Sequence, residues 1–256
     1  METEKLYKDK EWLYNKYINE RLSTNQICKL CNSGHMVIWE WLHKLNIPVR
    51  CNGEAVHLVL ANHCNLSRKA INFINGELLG DGSLNCRSSY SARFVYGSKY
   101  PEYCQYISDT LDSFGIKQSG KINKRYYKDF NCYSYHYSSL AYVELLSIYK
   151  QWYPEKKKIV PRDIKLTPLT CRQWYIGDAC LHKPQKINPY IMLATEGFIV
   201  SDIKWLIKQL TKLGFKTNIS KKLNKFNIRI SSYSTKAFLD YVGKSPTKCY
   251  EYKFEY

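Results

Sequence analysis

The sequence predicts an α+β fold: a duplicated αββαββα module built on a central helix pair, preceded by a small all-α helix-turn-helix unit. Three observations carry this. The chain from residue 67 onward echoes itself at a nearly constant step. FINGELLGDGSL (73–84) returns as CRQWYIGDACL (171–181), so Asp178 follows Asp81 by 97 residues. DSFGIK returns as TKLGFK, YHYSS as IRISS, and PEKKKIVP as the tail CYEYKFEY, pairing Gly115 with Gly214, Ser138 with Ser231 and Lys156 with Lys253. Within each copy, helical and alternating segments follow in one order. The first fifty residues, by contrast, contain only helical periodicity.

Trp12, Leu13, Tyr17 and Ile18 line one face of a helix over 8–20. Ser23 or Thr24 caps a second helix through Leu30, and Ser33 caps a third from His35 to Leu45 with an apolar stripe of Val37, Ile38, Trp41, Leu42 and Leu45. Helix, tight turn and helix at this spacing is a helix-turn-helix arrangement, in which the last helix would offer Ser33, His35, Met36, Trp39, Glu40 and His43 to a DNA groove. A protein-contact role for the same unit is the alternative reading. The domain boundaries expected are 1–50 for this unit, 51–66 for a linker (with Val56–Ala61 a short helix or strand), 67–161 for the first repeat and 162–256 for the second.

In the first repeat Ser67 caps a helix to Gly80. Strands follow at 83–86 and 91–98, then a helix at 101–114, a hairpin of 117–127 with 131–138, and a helix at 140–152. In the second repeat the helices are 168–177, 200–213 and 235–242, with strands at 188–195, 216–222 and 226–231.

The 256 residues carry 39 Lys and Arg against 22 Asp and Glu, a formal charge of +17 that points to a polyanionic partner. No apolar run approaches the roughly 18 residues of a membrane span, and METEKLYKDKEW lacks a secretory apolar segment. These features predict an intracellular protein, cytoplasmic, nucleoid-associated or organellar. The ten cysteines are scattered and read as reduced thiols. Cys28-x2-Cys31 with His35 has a zinc-like start but lacks a second ligand pair.

Gly76 and Gly80 are four apart in a helix, where each costs about 1 kcal/mol relative to alanine. That spacing suits close backbone approach, and the natural partner is the repeated helix, with Gln173 and Gly177 at the equivalent positions. Each helix ends in one carboxylate, Asp81 or Asp178, and pairing the helices brings the two together. Two carboxylates in one place repel unless cations intervene, and oxygen ligands suit Mg²⁺ over a scissile phosphate.

INGELLGDG (74–82) and CRQWYIGDA (171–179), with KKKIVPRDI and the terminal CYEYKF, resemble the two signature helices and flanking text of single-chain LAGLIDADG homing endonucleases. The resemblance covers about residues 67–256 and departs at Ala179 and Gln173, neither of which removes a carboxylate. It implies a pseudo-symmetric monomer with two saddle-shaped antiparallel sheets along double-stranded DNA, cutting both strands at a long asymmetric site. It implies metal ligation at Asp81 and Asp178 beside Gly80 and Gly177, and assisting cations at Lys157 or Lys158 and at Lys253. Ser98 and Thr195 match positions of polar, water-ordering residues.

Groove contacts are expected from Asn85, Arg87, Ser89, Arg93, Lys121, Asn123, Arg125, Tyr127 and Tyr133 in the first repeat. In the second they are expected from Lys183, Gln185, Lys186, Asn188, Tyr190, Lys221, Lys222, Asn224, Lys225 and Arg229. A Mg²⁺-dependent endodeoxyribonuclease, with other divalent metals possible, is the leading expectation. The alternatives are a DNA-binding regulator on the same fold and an intron RNA maturase.

Overall fold

The computed structural model describes residues 5–51, 53–55, 60–185, 188–222 and 225–256. The expected segment Val56–Ala61, and Lys186 and Asn224 among the expected DNA contacts, fall wholly or partly outside these residues. The chain divides into two units, Met1–Ala61 and Asn62–Tyr256.

The apolar spacing of the first unit folds as short helices around Tyr7, Leu13, Tyr17, Ile27, Cys28, Ile38, Leu42 and Ile47. Helix α1 (Lys10–Tyr14) is capped by Asp9, whose Oδ1 accepts from Trp12 N at 2.8 Å, and it runs into a π-helical turn, Asn15–Asn19. Ser23 and Gln26 form a reciprocal capping box on α2 (Thr24–Cys31), and left-handed Asn32 closes it. Helix α3 (His35–Lys44) begins at Gly34, so the expected cap at Ser33 is displaced by one residue.

The second unit holds the larger core. Its first half runs α4 (Arg68–Leu79), β1 (Ser83–Ser88), β2 (Ser91–Ser98), α5 (Pro101–Asp112), β3 (Asn123–Tyr127), β4 (Cys132–Ser138) and α6 (Val143–Trp152). Its second half repeats the order with α7 (Pro168–Asp178), β5 (Ala179–His182), β6 (Tyr190–Leu193), α8 (Val200–Lys212), β7 (Thr217–Lys222), β8 (Lys225–Ile230) and α9 (Ser232–Val242). Both sheets are antiparallel with equivalent orders, β1-β2-β4-β3 and β5-β6-β8-β7.

Several boundaries differ from expectation, among them α9, which starts at Ser232 rather than 235 because Ser231 caps it. Strand β3 starts at Asn123, because Gly120 adopts φ +70° and turns the preceding chain. Helix α6 starts at Val143, because Tyr142 is held extended by exchanging backbone hydrogen bonds with Ala92. Strand β5, absent from the strands expected in the second repeat, follows α7 directly and pairs with β6.

The two signature helices pack against each other at their glycines. A Cβ on Gly76 would lie 2.6 Å from Thr170 O and 2.8 Å from Gln173 Cβ, while one on Gly80 would lie 3.3 Å from Gly177 Cα. The four expected packing positions therefore face one another. Ser67 and Thr167 cap the two helices equivalently, accepting from Ala70 N and Thr170 N at 3.2 Å. Between them the buried Gln173 amide donates to Glu77 Oε1 at 2.6 Å, and Tyr103 donates to the same oxygen at 2.8 Å. Burial pushes the Glu77 carboxyl up to about 8, against the pull of those two hydrogen bonds.

Candidate active site

The close glycine contact sets the site, because it brings the ends of α4 and α7 together. Asp81 follows α4 and Asp178 ends α7; the former reaches solvent and the latter is half-buried. Burial first, and then the Asp81 charge, pushes the Asp178 carboxyl up to about 7. Burial likewise raises Asp81, opposed by Lys253 and then Lys158.

Two lysines complete the cluster. Lys158 donates to Gly82 O at 3.2 Å and Lys253 to Ile176 O at 2.5 Å. Burial lowers both ammonium groups, and the carboxylates oppose it. For Lys158 the stronger opposition comes from Asp178, and for Lys253 from Asp81. Each lysine thus bonds to the signature segment of its own repeat, and its charge acts on both carboxylates. Lys157, the other lysine considered for this place, is exposed. The cluster opens into a pocket of about 300 Å³ lined by Asp81, Lys158, Asp178 and Thr195 among others. Among the described residues, no group of three or more His, Cys, Asp or Glu side chains converges.

Asp81 also closes one end of a second cleft, of about 540 Å³, over the first sheet. Strand alternation decides what lines it. In β2, Ala92, Phe94, Tyr96 and Ser98 point inward, so Arg93, Val95 and Gly97 face out. Register then puts Asn85 beside Arg93, and Asn123 and Arg125 opposite His136 and Ser134. Asn85, Arg87, Arg93, Lys121, Asn123 and Arg125 line this cleft. Tyr127 shares the face, its hydroxyl 3.1 Å from His136 Nε2. Ser89 is exposed in the β1–β2 turn.

In the second sheet, Tyr190, Arg229, Lys225 and the backbone position of Lys222 share the outer face. Arg229 lies 4.0 Å over the Tyr190 ring, which stacks on His182 at 4.9 Å and 9°. Lys225 is ion-paired to Glu196 at 2.5 Å. Lys183, Gln185 and Asn188 are exposed between β5 and β6. In the first unit, His35, Met36, Trp39, Glu40 and His43 are exposed on α3, Trp39 and His43 being in ring contact at 4.2 Å, while Ser33 is half-buried.

Three expected contacts are corrected, Ser98, Tyr133 and Lys221, and a fourth, Thr195, is buried. Ser98 is buried and bonded to Tyr250 Oη and Tyr100 N. Thr195 is 1% exposed and donates to Phe226 O at 2.9 Å. Ser98 ends β2 on its inward parity, so its hydroxyl serves the core, whereas Thr195 lies two residues past β6, is held to the backbone, and lines the pocket with Asp81 and Asp178. Tyr133 pairs with Tyr126 on the reverse face of the first hairpin, and Lys221 shares the reverse face of β7 with Ile219. In each case the residue is one position out of phase with the outward set.

His136 and His182 were not expected. Strand parity would have found His136, two residues from Ser134 and Ser138 on β4, but His182 lies on β5, a strand the sequence does not announce. The buried partners Glu77 and Tyr103 carry no sequence signal beyond a polar residue in an apolar helix.

The family model described as the LAGLIDADG DNA endonuclease family matches residues 71–238. Uncharacterized protein MJ1098 of Methanocaldococcus jannaschii is 27% identical over 227 residues, 82% of this chain and 81% of that protein. A protein named cytochrome b mRNA maturase bI2, from Debaryomyces hansenii, is 25% identical over 177 residues, 62% of this chain and 61% of the maturase. The homing endonuclease I-WcaI, solved bound to its DNA recognition sequence, superposes with a TM-score of 0.68 at 18% identity, covering 82% of this chain and 96% of that one, which shows a shared fold. No helix among the described residues is long and apolar enough to cross a membrane. With the family model spanning both signature helices, the chain belongs to the LAGLIDADG DNA endonuclease family.

Proposed function

We propose that this protein is a site-specific endonuclease that hydrolyses both strands of a DNA duplex with a divalent metal, acting as a monomer because one chain contains both repeats. The observation that carries the reading is the meeting of Asp81 and Asp178 with Lys158 and Lys253 where the paired helices end. Two carboxylates raised by burial, Asp178 also by the Asp81 charge, are a poor arrangement for a metal-free protein. They fit a hard cation that completes its shell with phosphate oxygens and water, as Mg²⁺ does. Asp81 and Asp178 would hold it, with the adjoining Gly80 and Gly177 carbonyls as further oxygen donors. A metal bound there supplies an activated water and charge stabilisation at the scissile phosphate.

The chain's own groups do the rest. Lys158 and Lys253 donate to oxygens on which charge develops, one toward each carboxylate. Arg93, Arg125, Asn85 and Asn123 in the first sheet, and Arg229 and Tyr190 in the second, offer the hydrogen-bonding patterns that base edges and phosphates accept. The +17 charge draws the duplex in. The first unit acts as an accessory DNA-binding helix-turn-helix.

The test is cleavage by purified protein with Mg²⁺ of the duplex formed by rejoining the sequences that flank its gene. A discrete double-strand cut, lost in EDTA and in Asp178→Asn, is expected. Binding without a cut at any divalent metal would replace this reading with a DNA-binding regulator. The likeness to a protein named as an mRNA maturase favours one second reading, assistance to intron RNA folding. Tight binding of the folded intron with no DNA cutting would select it.

A further inference from the structure

Two acidic side chains outside the site hold the backbone that carries its lysines. Asp202, in the first turn of α8, is 1% exposed. Its Oδ2 accepts from Val160 N at 3.0 Å and its Oδ1 from Arg162 Nη2 at 2.6 Å. Val160 lies two residues beyond Lys158, and between them Ile159 N donates to Trp152 O at 2.8 Å. The lysine-bearing segment is therefore fixed to α6 of its own repeat and to α8 of the other.

The second repeat mirrors this. Glu102, in the first turn of α5, accepts from Lys248 N at 2.9 Å, where the 3-10 segment Lys248–Lys253 begins. Glu102 is exposed, and the bond is five residues from Lys253 rather than two. A first-turn carboxylate ordinarily accepts from the amides of its own helix. These two accept instead from the chain segment that delivers a lysine from the opposite repeat.

We propose that Asp202 is a positioning residue that sets Lys158 against Asp178, with Glu102 its weaker counterpart for Lys253. Charge-assisted hydrogen bonds to a buried carboxylate are strong and geometrically demanding. Loss of such a bond lets the segment shift, and displacements of about 1 Å in a catalytic constellation can cost a hundredfold in rate. The proposal rests on reading the Asp81 and Asp178 cluster as a double-strand nuclease. Because Lys158 bonds to Gly82 O and Lys253 to Ile176 O, each lysine stands at a different signature segment, and disturbing one lysine-bearing segment slows one strand.

The experiment uses full-length protein and a duplex labelled on both strands, under single turnover with Mg²⁺. Asp202→Asn keeps the side chain's size but cannot accept from both partners. It is expected to slow by at least about tenfold the strand that Lys158→Met slows, so that nicked duplex accumulates. Glu102→Gln should slow the other strand by less. Equal slowing of both strands by Asp202→Asn, or none, would overturn the proposal.

A second readout needs no cutting: acylation of lysines in the same proteins, followed by mass spectrometry. Half-buried Lys158 should label more slowly than exposed Lys157 in the wild type, and approach its rate in Asp202→Asn with Lys253 unchanged. Unaltered Lys158 labelling overturns the proposal whether or not the wild type cuts. Altered labelling in a protein that cuts neither strand supports the positioning role while removing the nuclease reading.

Discussion

Gly80 and Gly177 meet backbone to backbone, such that a Cβ on Gly177 would lie 3.1 Å from Gly80 Cα and 3.0 Å from Asp81 N. The contact is structural and chemical at once, since the atoms crowded by a methyl group are those that place Asp81. Gly177→Ala should gain helix propensity of about 1 kcal/mol and lose a comparable amount to overpacking. A small change in denaturation midpoint with a large loss of cleavage is expected. Gly76→Ala meets Thr170 O at 2.6 Å and should destabilise by about 1–3 kcal/mol. Paired denaturation and cleavage measurements check both; intact cleavage by Gly177→Ala would show that the helix ends can part without moving the carboxylates.

The Asp178 carboxyl, pushed up to about 7 by burial and by Asp81, makes a pH prediction with a definite sign. Its pKa is higher in the folded than in the unfolded chain, so the folded state binds more protons between about pH 4 and 7. Metal-free stability from this group is therefore greatest at low pH and is lost as pH rises through 7. Metal binding needs the ionised form, so apparent metal affinity should rise over the same interval. Asp178→Asn should raise the metal-free melting temperature at pH 8 while abolishing cleavage and leaving DNA binding largely intact. A lower melting temperature at pH 8 would mean that the carboxylate is stabilised by its lysines.

The parts legible in the sequence are those with local causes. GELLGDG announces its helix, close packing and terminal carboxylate within seven residues, and strand alternation in SARFVYGS assigns Arg93 to the outward face. The lysine needed from KKK is not local. Lys158 rather than Lys157 enters the site because Ile159 and Val160 are bonded to Trp152 O and Asp202, which lie on different repeats. Ser98 misleads for a related reason: the strand parity that buries it competes with an apparent match to polar site positions.

Strand parity also separates two basic residues that composition treats alike. Arg229 is held over the Tyr190 ring on the outer face, whereas Lys221 lies on the reverse face with its ammonium 5.8 Å from the Phe226 ring. A guanidinium already oriented by stacking loses less freedom on binding a base edge. Arg229→Ala should weaken target binding by about 1–3 kcal/mol and relax preference at one position, and Lys221→Ala should change binding little. Titration of both variants against the target and single-base variants checks this. Equal losses would place the duplex differently on the second sheet.

Charge is distributed unevenly between the two units. Residues 1–61 hold eight Lys and Arg against seven Asp and Glu, leaving 31 against 15 in the remainder. Phosphate neutralisation sets the salt dependence of DNA binding, so that dependence should reside almost entirely in residues 62–256. The exposed α3 surface of His35, Met36, Trp39 and His43 suits base or sugar contact more than charge neutralisation. Removing residues 1–61 should therefore weaken binding at every salt concentration by a similar factor, leaving the slope of log K against log salt nearly unchanged and the cut where it was. A markedly shallower slope would assign phosphate contacts to the first unit. A moved cut would make that unit, rather than the sheets, the part that sets register on the target.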